Sequence, residues 1–283
     1  MKKAILGALL AMTAMGTQAG TQPAVESSAV VNGTIVLAKD GTVQTAVIDD
    51  PAKYGQPIAD MVRNAALQWH FQPVLQDGQP VVAKASMHAR VVLTQKPDGN
   101  YNAHIKGVTF GDNDPNDTGT VHAAEGNKQF QPYFPAEMIH AHVQATVYLA
   151  LRVDRSGHVT DAVAEQVNLA NRGPEGVLKQ YRAILAHSSL SAARHWTYTL
   201  PTTGALAKQD SWTIHVPITI NFNVITHGTP ESSTAVWQTY LPGPYTPAPW
   251  VDKPDANAAD ALADDSMQTD GAGPTLLAAP NHG

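Results

Sequence analysis

Apolar and β-branched residues alternate over 32–37 and 42–47, on either side of Lys39-Asp40-Gly41. An Asp-Gly between such runs predicts a β-hairpin. The period then changes. Ile58, Met61, Val62, Ala65, Ala66 and Trp69 follow at helical spacing, which gathers them into one stripe. Pro57 suits the first turn, where a missing N–H costs nothing. After Trp69-His70-Phe71-Gln72-Pro73, turns at Asp77-Gly78 and Pro97-Asp98-Gly99-Asn100 predict strands over 81–93 and 101–110.

A second stretch follows the same plan. A strand over 143–153 turns at Asp154-Arg155-Ser156-Gly157 and returns over 158–167. A helical region over 174–196 carries Leu178, Tyr181, Leu185, Ala192 and Trp196 on one side. Ser188 and Ser189 read as a break that caps a second helix. An alternating strand covers 212–224. Trp69-x-Phe71 and Trp196-x-Tyr198 stand at matching places, each Trp 22 residues before the same point in the next strand, Val91 and Ile218. Such a repeat is read before anything else. Each unit predicts a hairpin plus one strand whose apolar face is covered by a helix, with Trp69, Phe71, Trp196 and Tyr198 as core. The fold class is α+β, in two tandem modules. Their expected limits are 28–112 and 130–226, with 113–129, rich in Asp, Asn, Gly and Thr, as a linker. Residues 227–283 lose periodicity in favour of Pro, Ala and Asp, which predicts a disordered tail. Its early part holds Trp237, Tyr240, Tyr245 and Trp250 among prolines, a composition that suits either docking a partner or packing back on the second module.

Charge and chemistry narrow the function. Lys2 and Lys3, an apolar run over 4–15 and Thr17-Gln18-Ala19 have the layout of a secretory signal peptide over 1–19, cleaved after Ala19. The run is shorter than the ~20 residues that span a bilayer. The expected location is the periplasm, with an uncleaved inner-membrane anchor as the alternative. There is no cysteine, and net charge is −6. That excludes disulfides, Cys-based zinc sites and lipid attachment through an N-terminal Cys. No basic face for nucleic acid is visible. No Gly-x-Ser-x-Gly, phosphate loop or dinucleotide fingerprint occurs, and His187 beside Ser188 on a helix would point away from it. No catalytic residue, cofactor or metal is expected. His140 and His142 with Glu137 read as solvent-exposed polar strand positions before zinc ligands, and the acidic run over 112–119 as linker before a calcium loop.

The second module resembles the C-terminal domain of the TonB energy-transducer family. The resemblance is carried by Pro132-Tyr133-Phe134-Pro135, Leu151-Arg152-Val153-Asp154-Arg155-Ser156-Gly157-His158-Val159, Ala192-Ala193-Arg194-His195-Trp196-Thr197-Tyr198 and Val216-Pro217-Ile218-Thr219-Ile220-Asn221-Phe222. The first module is similar through Asp40-Gly41-Thr42-Val43 and through the run from Ala65 to Pro73, without the Tyr-Pro lead-in. The resemblance implies two tandem TonB C-terminal-like modules, each a small antiparallel sheet covered by a helix. It also implies a periplasmic protein that binds extended segments of envelope proteins, such as outer-membrane transporters, by adding them to an edge strand. The implied partner-binding edge is Trp212, Ile214, Val216, Pro217, Ile218, Ile220 and Phe222, with 86–93 as a second edge. Pro217, which has no N–H, fits an edge. One departure supports the alternative of a soluble periplasmic scaffold with no role in energy transduction. Only a short stretch, the nine residues 21–29, stands between the leader and the first strand of the first module. At about 3.1 Å per residue they reach roughly 28 Å, too short for a tether across the periplasm.

Overall fold

The hairpins at Asp40-Gly41 and Ser156-Gly157 each begin a sheet and helix unit in the computed structural model, which describes residues 25–76, 78–96, 98–111, 114, 116–221, 236–252, 259–262 and 266–277. The expected leader over 1–19 and Phe222 lie outside the described residues. In chain order the elements are β1 (Glu26–Leu37), β2 (Val43–Ile48), α1 (Pro51–Tyr54), α2 (Gln56–Ala66), β3 (Leu75–Gln76), β4 (Gln79–Pro80), β5 (Ala83–Gln95), β6 (Tyr101–Phe110) and β7 (His122–Ala123). They continue with α3 (Ala136–His140), β8 (Gln144–Asp154), β9 (Val159–Leu169), α4 (Glu175–Ala193), β10 (Tyr198–Thr199), β11 (Ser211–Asn221), β12 (Gln238–Tyr240) and β13 (Gln268–Thr269). The class is mixed α+β with antiparallel sheets. Of the two large sheets, one runs β12-β1-β5-β6 with β2 also on β1, and the other runs β13-β11-β8-β9; β10-β7 and β3-β4 are two-stranded.

The two units share details beyond strand order. Gly41 and Gly157 end the two hairpin turns at φ 87° and 79°, where a side chain would be strained. Each also receives the backbone of the aromatic that follows the helix. Phe71 N donates to Gly41 O at 2.9 Å, and Tyr198 N to Gly157 O at 2.8 Å. A Cβ on either glycine would meet the carbonyl oxygen of that same aromatic. The Trp-x-aromatic pairs therefore mark a tertiary joint: the Trp closes the helix end, and two residues later the chain docks on the hairpin glycine. The turns are tightened by carboxylates. Asp40 accepts from the Thr42 hydroxyl and N–H, and Asp154 from the Ser156 hydroxyl and the Ser156 and His158 N–H groups. Those bonds, the hydroxyls first, hold both carboxyls below their usual pKa. Both returning strands also bulge three residues after the glycine, leaving Gln44 and Thr160 without a cross-strand partner.

Packing follows the predicted stripes, with local corrections. In the first unit Val62 and Ala66 of α2 are fully buried against β1 and β2, and Phe71 stacks edge-on to Phe110 (4.9 Å), as does Trp69 (5.8 Å). In the second, Leu178, Leu185 and Ala193 of α4 cover Val147, Leu149 and Leu151. Trp196 is buried, and its Nε1 donates to Phe130 O at 2.9 Å. Ser188 and Ser189 do not break the helix. α4 is continuous for 19 residues, with Ser189 buried in it, because the core contacts on both sides outweigh the weak helix preference of serine.

The expected linker is only partly a linker. Val121 is buried in the second core, β7 pairs with β10, and Thr202 and Thr203 N donate to Thr118 O. His140 closes α3 and His142 sits in a turn at φ 49°, so the two are not neighbours on one strand face. Among the described residues no three His, Asp or Glu side chains are placed to hold a metal, and no helix is long and apolar enough to cross a membrane. The largest correction concerns the tail. Tyr240, Leu241, Ala248, Ala259, Asp260, Ala261, Leu262 and Thr269 are all buried. The tail has too little apolar surface to fold alone, but its described residues pack onto surfaces that the two units leave open.

Candidate functional site

The open surfaces are strand borders and the two sheet faces without helices. β11 pairs with β8 along its whole length, Ser211 opposite Asp154 and Asn221 opposite Gln144. On its other side, among the described residues, it pairs with β13 alone, at Ile214 and His215. Asp270 N donates to Thr213 O at 2.9 Å, so the odd residues of β11 turn their backbone groups away from β8. Pro217 is one of them. Its missing N–H falls on the outer border, and the pairing with β8 loses no bond. No described strand pairs with this border beyond His215. The side chains of Trp212, Ile214, Val216, Ile218 and Ile220 point to the helix-covered core, so only the backbone of the expected edge faces outward. The second expected edge, 86–93, is not an edge. It belongs to β5, which is flanked by β1 and β6, because the 101–110 strand folds straight back on it.

The tail adds itself to four places. β12 pairs with Glu26–Ser28 of β1 in the first sheet. The next residue, Leu241, exchanges two hydrogen bonds (2.7 and 3.1 Å) with Leu169 at the end of β9 in the second sheet, and Thr246 N donates to Glu165 O. Arg182 of α4 reaches the carbonyls of Val167, Leu241 and Pro242. Further on come β13 on β11, and then Leu276 opposite Phe71, with Gln72 N on Thr275 O and Leu277 N on His70 O, both 2.9 Å. The described segments of the tail thus contact both units.

Two bulges aim charges into the cleft between the sheets. The β5–β6 register skips Lys106, and the β8–β9 register skips Glu165. Lys106 Nζ lies 2.7 Å from Asp260 Oδ2 and 2.8 Å from Glu26 Oε2. Asp260, with no exposed surface, also accepts from Asn168 (3.0 Å) and Gln166 (3.3 Å) of the second sheet. The Tyr240 hydroxyl donates to Glu26 at 2.9 Å. Burial first, then the charges of Asp260 and Glu26, push its pKa far up, so it remains a donor. Arg90 donates to Ser28 Oγ and to the Leu262 carbonyl. Buried charges of this kind hold only when paired, and Asp260 supplies the pairing across both sheets.

Glu165 serves the other end of the cleft. His215 Nδ1 lies 3.0 Å from Glu165 Oε2, and His215 Nε2 lies 3.1 Å from Asp270 Oδ1. Burial pushes the imidazole pKa down, but the hydrogen bonds to Asp270 and Glu165 and their charges outweigh it, raising it to about 9. The ring is an imidazolium at neutral pH with both N–H groups engaged. It clamps a strand and is not placed to take a proton from a substrate. It faces a cavity of about 820 Å³ between β6, β11 and the tail, also lined by Val108, Phe110, Tyr245 and Leu276.

No family model, no curated protein and no solved structure matches this chain. Its site is therefore described by its own geometry. Trp69, Phe71, Trp196 and Tyr198 are core in both units, as the pattern predicts. Glu165, His215, Asp260, Asp270 and Lys106 escaped sequence reasoning; Tyr240, one of the tail aromatics expected to dock a partner or pack back on the second module, instead pairs with β1 of the first sheet. One signal was present. Ser28, Arg90, Lys106, Gln166 and Asn168 occupy strand positions that a two-layer unit would leave to water, yet they are buried or nearly so.

Proposed function

We propose that this is a polypeptide-binding protein, without catalysis, that takes extended segments of other envelope proteins onto the outer border of β11. The observation that carries this reading is the seat of residues 268–270. An extended segment already lies there, joined by backbone bonds at Ile214, His215 and Thr213. Strand addition needs a border with outward N–H and C=O groups and a stop against runaway pairing. β11 has the first in its odd residues, and Pro217 supplies the second. The resemblance of both modules to the TonB C-terminal domain would make the partner an outer-membrane transporter segment and the location the periplasm. Titrating isotope-labelled protein with extended transporter-derived peptides tests it. Amide shifts confined to 213–221 and 268–270 are expected, and a flat titration rejects the transporter partner.

A second reading has its own support. The tail pairs with borders of both units, as in a scaffold closed by its own chain and taking no part in energy transduction. N-terminal analysis of the protein from envelope fractions separates the two. A start at Gly20 in the soluble fraction favours the scaffold, and an intact Met1 in the inner membrane favours a transducer.

A further inference from the structure

We propose that residues 266–277 are a resident stand-in for the partner, and that the β11 border selects an extended peptide with a carboxylate directly after the paired dipeptide. The inference rests on the strand-addition reading above and adds the chemistry of the occupant.

Three features of the seat point this way. First, pairing is short. Gln268 and Thr269 are the whole of β13, and two residues of backbone pairing, at about 1 kcal/mol net per bond, make a weak hold. Second, a charge is added where pairing stops. Asp270 is half exposed, yet its carboxylate meets His215 Nε2 at 3.1 Å while its N–H bonds Thr213 O. The ring cannot turn away, because Nδ1 is held by Glu165, which is 3% exposed. His215 is thus a fixed cation beside the border, and an acidic side chain is the natural complement. Third, the segment leaves at once. Gly271 and Gly273 take positive φ, which turns the chain from the second unit to the strip at His70–Gln72 of the first. The hold is therefore made of separate short clasps, each able to open without unfolding a core.

The test uses the full chain with Asp270→Ala, a half-exposed site whose loss leaves both cores intact, and two labelled synthetic peptides. One has the sequence of residues 266–277, and the other carries Asn in place of the Asp. In the variant, amide exchange at 213–215 is expected to speed up about three- to tenfold as the clasp loosens. Unchanged exchange overturns the carboxylate's role. The Asp peptide is expected to bind the variant about three- to tenfold more tightly than the Asn peptide, with His215→Gln erasing the difference. The intact chain should bind either peptide more weakly than the variant, because its own tail competes at high effective concentration. Equal binding of both peptides overturns the acidic selectivity and leaves strand addition standing. Binding of neither, with exchange accelerated, overturns both.

Discussion

The two units close their third strand differently. In the first, β5 is followed closely by β6, ten residues that cover its border from Met87 to Gln95. In the second, among the described residues the outer border of β11 is paired only by β13, two residues long, which returns from the tail. Hairpin, helix, bulge and glycine joint are common to both, so the core does not explain the difference. A border sealed by a neighbouring strand closes a short loop. A border sealed by a distant tail closes a long one and gains few bonds. The third strand of the first unit is thereby closed by its sequence neighbour, and that of the second by a short, distant segment.

The bluntest way to break this comparison is to attack one core and watch the other. Phe71 is fully buried against Trp69 and Phe110. Phe71→Ala should cost about 3–5 kcal/mol. Calorimetry should show the loss in the first unit with a smaller effect on the second. One merged transition shifted as a whole would mean that the tail couples the units into a single cooperative body.

That coupling has its own test, next in size. Asp260 is the shared partner of Lys106, Asn168 and Gln166. Asp260→Ala should cost about 3 kcal/mol, the low end for breaking a buried pair, because Glu26 still holds Lys106. Denaturant unfolding followed by tryptophan fluorescence reads it. A cost under about 1 kcal/mol would show that the cleft is solvated and that the tail does not bind the sheets together.

Sequence reading reached the parts of this molecule that local pattern controls. The hairpins follow from Asp40-Gly41 and Ser156-Gly157, the helices from their apolar stripes, and the core from two Trp-x-aromatic pairs that the glycine joints explain. It failed where meaning is non-local. Residues 101–110 were read as a strand, but not that they would seal 86–93. Asp260 and Asp270 fall in the stretch whose Pro, Ala and Asp content predicts a disordered tail, because nothing near them in sequence shows the Lys106 and His215 they meet. The bulges that aim Lys106 and Glu165 depend on register, which alternation alone does not set.

A smaller effect separates the borders by pH. His215 has its pKa raised to about 9, so its clamp on Glu165 and Asp270 is complete below its ordinary value of 6.5 and is lost as pH rises through about 9. Tyr245, 3.4 Å from Glu165, and Asp252 face the same cavity. With Asp270 half exposed, the clamp contributes about 1 kcal/mol. Between pH 7.5 and 9.5, amide exchange at Ile214 and His215, corrected for its intrinsic pH dependence, should accelerate while that at Val91 stays constant. His215→Gln should flatten the response. Equal acceleration at both borders would remove the contrast.

The finest test leaves stability almost untouched. Pro217 stands on the outer side of β11, opposite Tyr148 across the ladder. Pro217→Ala trades ring packing for a new N–H and should change stability by under about 1 kcal/mol. The new amide points away from β8, while those of Val216 and Ile218 point into the ladder. If the border is open there, the residue 217 amide exchanges with the speed of a solvent-facing group and its neighbours remain protected. A protected amide at 217 would mean that the border is covered along its length. β11 would then be as sealed as β5, with no vacant stretch left for a partner.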